Sequence, residues 1–166
     1  AKLGAYVLAV TPFASTTGLM RYDRDQHAAA VANLVTASGA SLGAVIDPDG
    51  ENLTLVDDSG HVLTDDEALL AFVTLVARHL DGGAIALPLS ATAHAERLAG
   101  QHGIEILRTK MSNAALMEAA SRPNVGFAAN TEGGFILPRF LPAFDGEAAM
   151  VRMLELLALD GTPLSK

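Results

Sequence analysis

Short, unbroken apolar runs alternate along this chain with segments of helical period, and the alternation occurs twice. A run such as Leu-Gly-Ala-Val-Ile at 42–46 is too short for a helix and has no polar face, so it reads as a strand covered on both sides. Before it, residues 5–10 (AYVLAV) read as a buried strand and residues 11–22 as a polar, glycine-containing loop. Asp23 with Gln26 forms a capping box for a helix that carries Ala28, Val31, Leu34 and Val35 on one face and stops at Gly39. After 42–46 comes Asp47-Pro48-Asp49-Gly50, strong turn chemistry. Residues 53–56 and 61–63 flank Asp57-Asp58-Ser59-Gly60 as a hairpin, and Thr64 with Glu67 opens a helix over 68–80.

The second half repeats the scheme. Strands are expected at 84–87, 104–107, 125–129 and 135–137, and helices at 91–101, at 113–120 behind Ser112, and after Asp145. Gly161 and Pro163 end the last one. The fold class this predicts is α/β: two consecutive α/β/α sandwich units with mixed sheets, divided at Asp81-Gly82-Gly83 into residues 1–82 and 83–166.

Composition narrows the function. The net charge is −8 and no Lys/Arg cluster occurs, which argues against nucleic acid, whose phosphates need clustered cations. The absence of cysteine excludes disulfides, thiolate metal sites and cysteine nucleophiles, and fits a cytoplasmic setting. Apolar runs are broken well short of a membrane span, so no membrane partner is expected. His27, His61, His79, His94 and His102 do not cluster at ligand spacing, and no nucleophile elbow, P-loop or dinucleotide fingerprint is present.

In α/β sheets ligands bind at loops beyond the carboxyl ends of strands, which singles out three loops. The first carries Asp47, Asp49 and Glu51 at alternate positions. It can be a hard-cation loop, since Mg²⁺ takes several oxygen ligands, or a solvated acidic turn. An EF-hand is excluded, because its sixth position would be Asn52 and its twelfth Asp58. The second is Arg108-Thr109-Lys110, where Lys110 is either a phosphate-binding or proton-transferring group or a solvated charge. The third is Asn130-Thr131-Glu132-Gly133-Gly134, whose glycines permit close backbone approach to a ligand and whose polar groups suit sugar hydroxyls. An ordinary hairpin turn has the same composition.

Taken in order, these loops resemble the α-D-phosphohexomutase (phosphoglucomutase/phosphomannomutase) family. Asp47 and Asp49 match the first two aspartates of its Asp-x-Asp-x-Asp-Arg metal loop, with Glu51 in place of the third and Asn52 in place of the arginine. Residues 64–70 (TDDEALL) resemble the helix start that follows. Residues 87–92 (LPLSAT), 108–110 (RTK) and 142–146 (PAFDG) resemble the third domain. Residues 127–138 (FAANTEGGFILP) resemble its sugar-recognition loop, with Ala128 and Ala129 for glycines and Asn130 for the expected glutamate.

The resemblance implies phosphate transfer from a phosphoserine on a first domain to a hexose 1- or 6-phosphate, with Mg²⁺ on the second domain, sugar recognition by the third and a phosphate grip from a fourth. It assigns Mg²⁺ to Asp47, Asp49 and Glu51, a catalytic role to Lys110, and the sugar to Asn130, Glu132, Gly133 and Gly134. It also implies that the chain begins inside the second domain and relies on phosphoserine and phosphate-binding domains elsewhere. Glu51, Asn52 and Asn130 depart where chemistry is carried, so a degenerate site with weak Mg²⁺ binding and no turnover by the isolated chain is expected. The alternative is a non-catalytic scaffold or regulatory module of a sugar-nucleotidyltransferase, similar to mannose-1-phosphate guanylyltransferases.

Overall fold

The computed structural model describes residues 4–10 and 22–166. The loop expected at 11–22 lies outside the described residues except for Tyr22. Helices α1 (Arg24–Ser38), α2 (Asp65–His79), α3 (His94–Gly100), α4 (Asn113–Ala120) and α5 (Gly146–Asp160) alternate with strands β1 (Gly43–Ile46), β2 (Leu53–Val56), β3 (Ala84–Pro88), β4 (Glu105–Thr109), β5 (Val125–Ala129), β6 (Phe135–Leu137) and β7 (Leu141–Phe144). The α/β class expected from the alternation is the one observed.

Strands β1 and β2 form a two-stranded antiparallel sheet. The larger sheet has the order β4-β3-β5-β6-β7, with β3, β4 and β5 parallel and β5, β6 and β7 antiparallel, hence mixed. Strand alternation sorts its side chains onto two faces. Ile85, Leu87, Phe127 and Ala129 join Leu69, Phe72, Val76, Ala95, Ala99, Met153 and Leu156 of α2, α3 and α5. Ala84, Ala86, Ala128 and Ile136 face Leu116, Ala119 and Ala120 of α4. The alanines bring α4 close to the sheet, while the other face is thickened by Phe72, Phe127 and Phe135, with Phe72 and Phe135 centred 4.2 Å apart. Leu53, Leu55 and Leu63 share the core that holds these phenylalanines, so one apolar cluster continues across the Asp81–Gly83 link.

The Thr64–Glu67 box forms as the sequence predicts, whereas of the Asp23–Gln26 box only the Asp23 side-chain bond is present. Asp23 Oδ1 accepts from Gln26 N at 3.0 Å, and Thr64 and Glu67 form a reciprocal capping box. Gly39 and Gly161 end α1 and α5 in the left-handed region.

Four local expectations are corrected. Residues 5–10 form no strand and are exposed, with Tyr6, Val7, Leu8 and Val10 outside the core, because no described strand pairs with them. The 61–63 segment contributes a bridge between Val56 and Val62 and the bond Leu63 N to Leu55 O (2.9 Å), but no extended strand. The helix expected over 91–101 is shorter, since Ala91, Thr92 and Ala93 form turns held by Arg108. Residues 142–144, read as the approach to the last helix, lie in β7. Pro142 is tolerated there because β7 is an edge strand with a free side.

Candidate functional site

The parallel strands end at Pro88, Thr109 and Ala129, and the loops beyond β4 and β5 share that edge of the sheet. The loop after β5 folds back on itself. Asn130 Oδ1 accepts from Glu132 N at 2.9 Å and from Gly134 N at 2.8 Å, and Asn130 N donates to Gly134 O at 2.9 Å. Asn130 is therefore buried and occupied in shaping the turn, whereas Glu132 is exposed at its tip.

The glycine pair does meet a backbone closely, but the backbone is this chain's own. Leu53 N donates to Gly133 O at 2.8 Å, and Asn52 and Gly134 form an antiparallel bridge. Gly133 has φ +85°, and a Cβ there would sit 2.9 Å from Leu53 O and 3.3 Å from Asp65 Oδ1. Both glycines are buried beneath this contact. The sugar-type loop and the acidic loop, about eighty residues apart in sequence, are thus stitched together by the start of β2.

The acidic loop is closed by Asp47. Its Oδ1 accepts from Glu51 N (2.8 Å) and Asn52 N (3.1 Å), and its Oδ2 accepts from Asn52 Nδ2 (2.7 Å). Partial burial disfavours the charged carboxyl, but the bonds from the Asn52 backbone and side chain and from Glu51 outweigh it and hold Asp47 below the ordinary carboxyl range. The far side of the loop is pinned by Gly146 N, at the start of α5, donating to Gly50 O at 2.8 Å. A Cβ on Gly146 would lie 3.2 Å from both Gly50 O and Asn52 O, so glycine permits the approach.

Asp49 and Glu51 are exposed on this loop. No group of three or more His, Cys, Asp or Glu among the described residues, Asp47, Asp49 and Glu51 included, is placed to hold a metal. The physical reason is that Asp47 is turned inward onto its own loop's donors. The residues present therefore do not fit a Mg²⁺ site of the family type.

Lys110 lies exposed just past β4, and none of the ion pairs among the described residues involves it. Its neighbour Arg108 is committed elsewhere, donating to Pro88 O (2.7 Å), Ala91 O (2.9 Å) and Glu96 Oε1 (2.7 Å). Sequence reasoning missed a brace beneath the joined loops. Arg24 donates to Thr54 Oγ1 at 2.7 Å and pairs through both terminal nitrogens with Asp65. The Asp65 bond is the main cause that raises the Arg24 pKa still further. Nothing local marks this brace, because Arg24 and Asp65 sit in the first turns of two different helices. A cleft of about 580 Å³, lined by Gly126, Leu137, Arg139, Phe140 and Arg152 among others, lies at the opposite end of β5 and touches none of the three loops. Its size does not outweigh that distance, since the polar loops lie at the other edge.

A mixed α/β sheet with helices on both faces and polar loops at the carboxyl edge of its parallel strands makes this an α/β/α sandwich domain. The sequence model described as "Phosphoglucomutase/phosphomannomutase, alpha/beta/alpha domain III" matches residues 64–166, and the chain belongs to that family. Among similar proteins, a phosphoglucosamine mutase of Desulfovibrio desulfuricans is 28% identical over 167 residues, covering 99% of this chain and 37% of the relative. A probable phosphoglucosamine mutase of Methanocella arvoryzae is 28% identical over 137 residues, covering 82% of this chain and 30% of the relative. The crystal structure of a putative phosphomannomutase from Thermus thermophilus superposes with a TM-score of 0.77 at 18% identity, covering 85% of this chain and 32% of that one. The chain thus spans about a third of the length of these relatives. The matched region starts at Thr64 and so includes α2, which lies ahead of the Asp81–Gly83 link. No helix among the described residues is long and apolar enough to cross a membrane.

Proposed function

We propose that this chain supplies the acidic-loop and sugar-loop portions of a phosphohexomutase-family protein, and that it binds a hexose phosphate without carrying out Mg²⁺-assisted phosphate transfer. In this reading residues 1–82 and 83–166 contribute one loop each, and the phosphoserine and phosphate-gripping functions come from other parts of the longer protein. The observation that carries the proposal is the joining of the two loops through Leu53–Gly133 and Asn52–Gly134, which sets the acidic loop beside the sugar-type loop. Glu132, exposed at the loop tip, has free acceptor oxygens for sugar hydroxyls. Lys110, exposed on the loop beyond β4 at the same edge of the sheet, offers a cation to a phosphate. Asn130, Gly133 and Gly134 act as loop-formers and contact the ligand at most through their backbone. No step is routed through Mg²⁺, because Asp47 is occupied by its own loop.

The inward-turned Asp47 also favours the second reading, in which the same domain is a non-catalytic module of a sugar-nucleotidyltransferase. Calorimetry of the full-length protein with glucose 1-phosphate and mannose 1-phosphate, beside a coupled mutase assay with Mg²⁺ and a bisphosphate activator, tests both readings. Binding that weakens at least tenfold in Glu132→Ala and Lys110→Ala, without turnover, is the expected result. Robust turnover lost in Asp47→Ala would overturn the non-transferring assignment. No sugar-phosphate binding at millimolar concentration would remove the ligand-binding reading and leave the scaffold. A nucleotide-binding domain upstream in the full-length protein would identify that scaffold as the nucleotidyltransferase kind.

A further inference from the structure

We infer that the Asn52 side chain is an internal substitute for a cation at Asp47, so that the acidic loop closes and stays docked on the 130–134 loop without any divalent ion. The inference rests on reading 47–52 as the counterpart of the family's metal loop, and its test uses no sugar, so it can fail independently of the ligand proposal.

A carboxylate only accepts hydrogen bonds and has about four lone-pair positions. Three of them at Asp47 are filled from within the loop: Glu51 N and Asn52 N on Oδ1, and Asn52 Nδ2 on Oδ2 at 2.7 Å. Because the partner is a carboxylate, the Asn52 atom facing it must be the amide nitrogen. Asn52 is held there from both ends. Its carbonyl accepts from Asp47 N at 3.1 Å, and its backbone bridges Gly134. The next residue, Leu53, donates to Gly133 O. One residue therefore satisfies the carboxylate of the first loop and anchors the second.

A Mg²⁺ ion would have to displace the Asn52 amide from Oδ2 and draw the exposed Asp49 and Glu51 inward, and this ion tolerates little departure from octahedral geometry. The amide needs none of that rearrangement. A charge-assisted bond from a neutral donor satisfies Asp47 without importing an ion.

The experiment is thermal unfolding of the full chain in EDTA and in millimolar Mg²⁺ or Ca²⁺, read together with amide exchange at Glu51, Leu53 and Gly134. For the native chain Tm and protection should be the same in all three media. Asn52→Ala should lower Tm by about 5 °C, with no recovery on adding cation, since it removes the donor and adds no ligand. Asn52→Asp, which sets a second carboxylate against Asp47, should lower Tm at least as much and regain a clear part of the loss with Mg²⁺ or Ca²⁺. The inference is overturned if the native chain gains several degrees from Mg²⁺ and Asp47→Ala abolishes the gain. It is equally overturned if Asn52→Asp is as stable as the native chain in EDTA. Should Asn52→Asp fail to fold, the exchange of Glu51 and Gly134 amides in the native chain decides: protection in EDTA equal to that in Mg²⁺ supports the substitution, and protection that needs the ion refutes it.

Discussion

Gly133→Ala is the most informative single change in the joined loops. The residue has φ +85°, where a side chain costs about 1–2 kcal/mol. A Cβ would also stand 2.9 Å from Leu53 O, a separation real contacts do not tolerate, and the obstructing atom is backbone. Relief requires the loop to draw away from β2, which weakens the 2.8 Å bond from Leu53 N to Gly133 O and costs about 1 kcal/mol more. The expected total is about 2–3 kcal/mol. Gly50→Ala provides the control, since Gly50 also has positive φ (+76°) but nothing lies within 4 Å of its added Cβ. It should cost about 1–2 kcal/mol from the backbone alone. Urea unfolding of the two variants gives the difference as a shift in midpoint at constant slope. Exchange of the Leu53 amide should accelerate only in Gly133→Ala. Equal destabilisation within about 0.5 kcal/mol would refute the claim that Gly133 is required by its contact with β2.

The other expectations follow from the same geometry. Asn130→Ala should destabilise by about 2 kcal/mol, because Glu132 N and Gly134 N lose their acceptor, whereas Asn130→Asp keeps that acceptor and should be milder by urea titration. Phe72→Ala, at a fully buried ring packed on Phe127 and Phe135, should cost about 3–5 kcal/mol in the same measurement. Glu67 is held below its ordinary value of 4.5, chiefly by the Thr64 N–H. Its contribution is therefore present above that value and is lost as pH falls through the lower folded one, so Glu67→Gln should flatten this part of the acid limb of a Tm–pH curve.

Most of the fold is legible because its strands are aliphatic and its helices carry explicit caps. Ile85, Leu87 and Phe127 announce burial by type, and Thr64 with Glu67 marks the cap of α2, although the helix begins at Asp65, ahead of the expected 68. Two of the misreadings concern strand partners. An apolar run states that a strand could be buried but not that a partner exists, which is why residues 5–10 lie exposed. Conversely, Leu141-Pro142-Ala143-Phe144 looks unlike a strand yet forms one, because the edge of the sheet asks little of its outer side. The loops were legible as tight, polar turns, but the atoms that face them were not. Gly133 and Gly134 signal close approach without saying to what, and β2 is the answer only in three dimensions.

The joined loops behave as one mechanical unit because each depends on a non-local partner. Asp47 is fixed by Asn52, Asn52 by Gly134, and Gly134 by Asn130. Beneath them Arg24 ties Thr54 of β2 to Asp65 at the start of α2, and Asp65 Oδ1 abuts the space a Gly133 side chain would need. The polar groups in this chain of contacts satisfy one another, and no buried side-chain nitrogen or oxygen among the described residues lacks a partner. The non-transferring function proposed above agrees with so closed an arrangement, because stabilising developing charge requires donors kept in reserve and aimed outward. The side chains exposed on the three loops include Asp49, Glu51, Lys110 and Glu132. Under the proposed function Glu132 accepts from sugar hydroxyls and Lys110 pairs with the phosphate, so that the two hold a sugar phosphate in place.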